Sequence, residues 1–71
     1  MILTNHAQEQ MAKRGVTRKD IELALNRPIG VPLPADLGKI RIDGYATNNR
    51  VLAVIVPAVS VETVIVTVFW P

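Results

Sequence analysis

The segment from Val51 to Pro71 constrains the fold more than any other part of the chain. Fifteen of its 21 residues are apolar, valine and isoleucine dominate it, and Glu62 is its one charge. Branching at Cβ stiffens χ1 and suits a pleated strand packed against neighbours better than a helix. The longest uninterrupted apolar run, Val51 to Val56, is far short of the ~20 residues that a membrane-spanning helix needs. Pro57, Ser60, Glu62 and Thr63 interrupt the segment further. Arg50–Val56 and Thr63–Phe69 therefore read as strands covered on both faces, joined by a turn at Pro57 and Ser60.

Upstream of this segment the hydrophobic period is two. Ile40 and Ile42 alternate with Lys39, Arg41 and Asp43, which predicts a half-buried strand after Gly38. Asn48 and Asn49 tolerate positive φ and can turn that strand into the next. Pro28, Gly30, Pro32 and Pro34 predict a loop over residues 28–38. Earlier still the period is helical. Asn5 is a candidate N-cap with Gln8 three residues on, Ala7 and Met11 share the apolar face, and Gly15 supplies a left-handed stop, giving a helix over residues 5–14. Thr17 and Asp20 form an acidic capping box, with Val16 and Ile21 as its hydrophobic staple. Ile21, Ala24 and Leu25 make a narrow stripe, and Pro28 ends the second helix. The expected fold is a single two-layer α+β domain spanning residues 1–71. A helical hairpin (5–27) packs on a three- to four-stranded antiparallel meander sheet (39–70), with a short N-terminal strand at Ile2–Thr4.

Composition limits the chemistry. Without cysteine, disulfide staples and thiolate zinc are excluded. The first residues lack the basic and long apolar stretches of a signal peptide, so the expected location is the cytoplasm, without a membrane association. A domain of this size buries only about 60% of the surface its unfolded chain exposes. With 49% hydrophobic residues, some apolar surface is expected to lie under a partner, in a homodimer or a hetero-complex. Aromatics are scarce: Phe69 and Trp70 offer stacking surfaces for a base, as in single-strand binding, but the preferred reading is Phe69 as core and Trp70 as sealing the sheet or an interface.

One His, no Cys and six scattered acids leave few mechanisms. Ser60 is the only serine, but no nucleophile elbow surrounds it. No metal-ligand spacing and no glycine-rich phosphate loop is present, and no cofactor is expected. What remains is His6 and the cations. Gln10, Lys13 and Arg14 flank His6 on its helix, and Lys39, Arg41 and Arg50 are expected around the first hairpin. Cleavage of RNA through its 2′-OH needs a proton shuttle and cations to stabilise the charge of the transition state. The plainer alternative is that His6 caps or packs and the cations are solvated surface. On composition alone the plainer reading is preferred, since a net charge of +2 is a weak electrostatic footprint for nucleic acid.

The residues also carry a resemblance. His6-Ala7-Gln8-Glu9-Gln10-Met11-Ala12-Lys13-Arg14-Gly15-Val16-Thr17, then Asp20-Ile21-Glu22, Leu25 and Pro28, resembles the opening of the bacterial DUF4258 family. That family's pattern is H-A-x-x-R-M-x-x-R-G-I-[ST]-x-x-D-I and a helix ending near proline. Arg50–Val56 and Val64–Phe69 are similar to its last two strands. The family carries no assigned function as a class and looks related to the small RelE/ParE-like bacterial toxins, BrnT among them. The relation implies a ribonuclease or RNA-binding role with an antitoxin-like protein as partner. Carried over by position, His6 and Arg14 match the motif's His and second Arg. Gln10 stands where the family has Arg, and Trp70 where a basic residue is common. Losing one transition-state donor costs about 10²–10³ in rate, so these departures weaken the catalytic case.

Two functional readings follow. In the first, the chain is a RelE/ParE-type RNA-binding or metal-independent endoribonuclease domain. His6 and Arg14 are its catalytic pair, and Lys13, Lys39, Arg41 and Arg50 hold the RNA. In the second, it is a non-catalytic module that dimerises or binds a partner through its valine-rich sheet.

Overall fold

The computed structural model describes all 71 residues. The first helix, α1, runs over Asn5–Arg14. Its N-cap is Thr4 rather than Asn5, because Thr4 Oγ1 accepts from Ala7 N at 3.0 Å while also donating to Val66 O at 3.1 Å. One hydroxyl thus starts the helix and ties it to the far end of the chain. Gln8 reaches back to Leu3 O. Gly15 ends α1 in the left-handed conformation, at φ 66°. The second helix, α2 (Arg18–Asn26), opens with the expected box: Asp20 N donates to Thr17 Oγ1 and Thr17 N to Asp20 Oδ2. Neither helix is long and apolar enough to cross a membrane.

The strands are β1 (Ile2–Leu3), β2 (Leu33–Pro34), β3 (Lys39–Tyr45), β4 (Val51–Pro57), β5 (Val64–Ile65) and β6 (Thr67–Phe69). An antiparallel sheet has the order β2-β3-β4-β6, and β1 pairs separately with β5 in parallel. Two features differ from the expected meander. The proline-rich loop contributes β2, and the residues just before it extend the same edge: Ile29 N donates to Asp43 O at 2.7 Å and Tyr45 N to Arg27 O at 3.1 Å. Prolines lack the N–H that an incoming strand would need, so this stretch guards the outer edge of β3. The expected strand Thr63–Phe69 is broken at Val66. Val66 N donates to Ile55 O, although Ile55 already pairs with Thr67. The extra residue bends the strand in the manner of a β-bulge, sending β5 to β1 and β6 to β4.

Helix α2 lies across β3 and β4, and α1 lies along β6. The sheet face beneath them carries Ile40, Ile42, Leu52, Val54, Val56 and Val68, which close a core with Ala7, Val16, Ile21, Ala24, Ala46 and Ile65. Each fully buried Leu or Ile here adds about 1.5–3 kcal/mol of burial free energy. Gly44 lets α2 come down onto β3: a Cβ at this position would stand 1.9 Å from Ala24 O.

Both ends of α2 are fastened to the β3–β4 connection. At the N-terminus, Asp20 Oδ1 accepts from Thr47 N at 3.2 Å. At the C-terminus, the Arg27 guanidinium donates to Tyr45 O, Ala46 O and Asn49 Oδ1. The connection itself turns through Asn48 and Asn49 at φ 60° and 58°, as the asparagine pair predicts. Burial pushes the Asp20 carboxyl upward, but the hydrogen bonds from Thr47 and Thr17 outweigh it and hold the group below its ordinary value.

Candidate functional site

The opposite face of the sheet is covered by no helix. Register places Lys39, Arg41, Asp43 and Tyr45 on it from β3, Val51, Ala53, Ile55 and Pro57 from β4, and Thr67 and Phe69 from β6. Phe69, expected in the core, is on this face and half-buried; the bulge at Val66 and pairing with Ala53 set its direction.

A basin of about 530 Å³ lies on this face. Ile55, Thr67 and Phe69 line it from β4 and β6 with Val66 at the bulge, Lys39 and Arg41 from β3, Pro34 from β2, and Ala35 and Asp36 from the β2–β3 turn. His6 completes the lining. It reaches the basin because α1 runs along β6, the strand nearest that rim, and His6 is on the first turn of the helix. His6 is exposed, and its side chain makes no hydrogen bond within the protein. Residues 6, 34–41 and 67–69 thus meet at one place although they are far apart along the chain.

The cations are unequal. Arg41 is paired with Asp43, Nε to Oδ1 at 2.7 Å and Nη2 to Oδ2 at 3.3 Å, and its guanidinium carbon stands 5.0 Å from the centre of the Phe69 ring. Lys39 makes no ion pair. Asp36 adds a negative charge to the basin wall. The basin is therefore a mixed-charge site rather than a purely basic one.

The other expected cations lie elsewhere. Eight residues of helix put Arg14 about 12 Å along the axis from His6, so the expected catalytic pair is separated. Arg14 Nε donates to Gln10 Oε1 at 2.8 Å, and its carbonyl accepts from Trp70 Nε1 at 2.7 Å. Arg50 stacks on Trp70, 3.9 Å from guanidinium carbon to ring centre. Its position in register, two residues before Leu52, turns it to the helix side, away from Lys39 and Arg41. Lys13 is exposed on α1 outside the basin. Gln10 and Trp70 thus hold Arg14 and Arg50 in a cluster of their own. Ser60 Oγ donates to Glu62 O within its own turn. No three His, Asp or Glu side chains converge anywhere.

Reasoning from sequence put Asp43 on the strand face of Lys39 and Arg41 without giving it a part in the site, preferred the core for Phe69, and missed Asp36 and Thr67. The i, i+2 spacing of Arg41 and Asp43 was a readable signal, because such residues share a strand face. The position of Phe69 was not readable, since it depends on a bulge.

The motif at the start of the chain now divides by task. Ala7 and Ile21 are in the core, Met11 packs against it, Gly15 is the left-handed cap, and Thr17 and Asp20 form the capping box. His6 is left without a structural partner and is the one such residue that lines the basin. The chain belongs to the DUF4258 family. That family, described as a domain of unknown function, matches residues 3–70. The match covers both helices and every strand but the first residue of β1. No curated protein and no solved structure is a significant match to this DUF4258 chain.

Proposed function

We propose that the helix-free face is an RNA-binding surface of the RelE/ParE-like kind, acting in the cytoplasm, with His6 as proton shuttle for metal-independent strand cleavage. The observation that carries the reading is the convergence of the chain's single histidine, free of any internal bond, with Lys39, Arg41 and Phe69 around one basin. In this scheme His6 takes the 2′-OH proton and supplies one to the leaving 5′-oxygen, while Lys39, the basin cation without an ion-pair partner, stabilises the phosphate. Arg14, Lys13 and Arg50 have no part in it.

The reading makes quantitative demands. With Arg41 already paired to Asp43, Lys39 alone is left for phosphate and the salt dependence is shallow, a slope of about −0.7 in log K against log salt for single-stranded RNA. His6→Ala should lower cleavage about 10²–10⁴-fold with binding retained. Purified wild-type protein that neither binds nor cuts single-stranded RNA at low salt would overturn it.

A second reading has its own support. Leu33 and Tyr45 on the same face are 47% and 40% exposed, beside the half-buried Val51 and Phe69. An apolar rim around a neutralised ion pair suits a protein partner, either an antitoxin-like chain or a second copy. Of the sheet's valines, Val54, Val56 and Val68 face the helices, and Val51 is the one this face presents. Light scattering at high concentration, with Tyr45→Ser as the disrupting variant, tests the homodimer form.

A further inference from the structure

We infer that Arg41, Asp43 and Phe69 form a stacking shelf for an unpaired nucleobase, and that Asp43 sets the preference of this spot for base over phosphate. The inference rests on the RNA reading above and names the part of the RNA that the face receives.

Ala53 carries the first observation. It has no measurable exposure although no helix lies over it. Its neighbours in register are Asp43 on one side and Phe69 on the other, with Arg41 two residues from Asp43. Asp43 holds the Arg41 guanidinium by two hydrogen bonds, and the Arg41 side chain reaches over the sheet to within 5.0 Å of the Phe69 ring. The small Ala53 side chain leaves room for this roof. Such a pair has one chemical consequence. The guanidinium charge is already met by a carboxylate, so a phosphate approaching it also meets Asp43. The planar guanidinium and the aromatic ring keep their stacking surfaces, which accept a base regardless of its identity. Lys39 lies two residues from Arg41 on the same strand face with no ion-pair partner, and is the group left for phosphate. A basin of about 530 Å³ falls within the usual range for small-ligand sites, about 300–1,000 Å³.

The test measures binding of three probes: a short single-stranded oligoadenylate, the same strand with abasic positions, and inorganic tripolyphosphate. Phe69→Leu should weaken the oligoadenylate about tenfold while leaving the abasic strand unchanged. Phe69→Tyr keeps an aromatic ring and should restore binding, which separates a lost stack from a damaged fold. Asp43→Asn frees the Arg41 charge and should strengthen tripolyphosphate several-fold. If Phe69→Leu lowers both strands equally, or leaves both unchanged, the shelf is overturned. An unchanged tripolyphosphate affinity in Asp43→Asn overturns the role of Asp43. These outcomes presuppose RNA binding by the wild type, whose failure overturns the RNA reading itself. Adenosine bound by wild type but not by Phe69→Leu supports the shelf even then.

Discussion

On the helix side of the sheet, Leu52, Val54 and Val68 are sealed by α1 and α2; on the other side Ala53 is just as inaccessible and Ile55 nearly so, under side chains alone. The same β4 residues alternate between the two solutions, one step at a time. The covered face is closed by apolar interdigitation and by fastenings at both ends of α2. The free face is closed by an ion pair lying across a small residue and an aromatic ring. The first arrangement has little latitude, because packed interiors respond to a single methylene. The second keeps polar groups at the surface, where a ligand can compete for them. The covered face is thus where substitutions should cost stability, and the free face where they should change binding.

The largest effect is expected from Gly44→Ala. The new methyl would meet the α2 backbone, with Ala24 O, C and Cα at 1.9, 2.6 and 2.8 Å. Backbone cannot rotate out of the way as a flexible side chain can, so α2 must lift from β3. The loss should be about 3 kcal/mol or more, enough to unfold much of a domain this small in thermal denaturation. Next comes Leu52→Ala, which empties a fully buried site and should cost about 2–5 kcal/mol in denaturant unfolding. If Leu52→Ala were as mild as a substitution on the free face, the contrast between the faces would fail.

These two residues also show what could be read in advance. Leu52 belongs to an apolar run that predicts a covered strand from composition alone. Nothing local to Gly44 announces its role, because the atom it must avoid belongs to a helix 20 residues earlier. The same division holds elsewhere. The Thr17–Asp20 box, the Gly15 stop and the Asn48–Asn49 turn are local devices, and each is where its residues predict. The strand β2 depends on a pairing with β3 that its prolines do not announce, and the break at Val66 and the side taken by Phe69 depend on pairing partners distant in sequence. For the candidate site, His6, Lys39 and Arg41 were nameable as chemistry-bearing residues, but their meeting, and the exclusion of Arg14 and Arg50, required register and the path of α1 along β6.

A middle-sized effect with a pH signature is expected at Asp20. Its two carboxylate oxygens accept from Thr17 N and Thr47 N, one each. Asp20→Asn offers one acceptor for two donors and should cost about 1–3 kcal/mol. The wild-type carboxyl lies below its ordinary value when folded, so its contribution is complete above the unfolded value and is lost as pH falls through the folded one. Wild-type stability should therefore decline below about pH 4. The Asn variant should lack this part of the acid limb, compared by thermal unfolding across pH. An acid limb of the same depth in both proteins would show that Asp20 is not the group responsible.

The smallest effect on stability should come from Arg41→Ala. The pair with Asp43 is partly exposed, at 30% and 24% for the two side chains, and such pairs contribute about 1 kcal/mol or less. The contact with Phe69 adds about 0.5–1 kcal/mol. Against this, Ala53 and Ile55 lose their roof and become wetter, so the total should stay well below that of Leu52→Ala. The informative measurement is to follow unfolding and oligoadenylate binding on the same preparation. A variant nearly as stable as wild type but clearly weaker in binding is what a functional free face requires. An Arg41→Ala protein as destabilised as Leu52→Ala would mean that the ion pair is a structural element of the sheet. The two faces would then differ in chemistry but not in task.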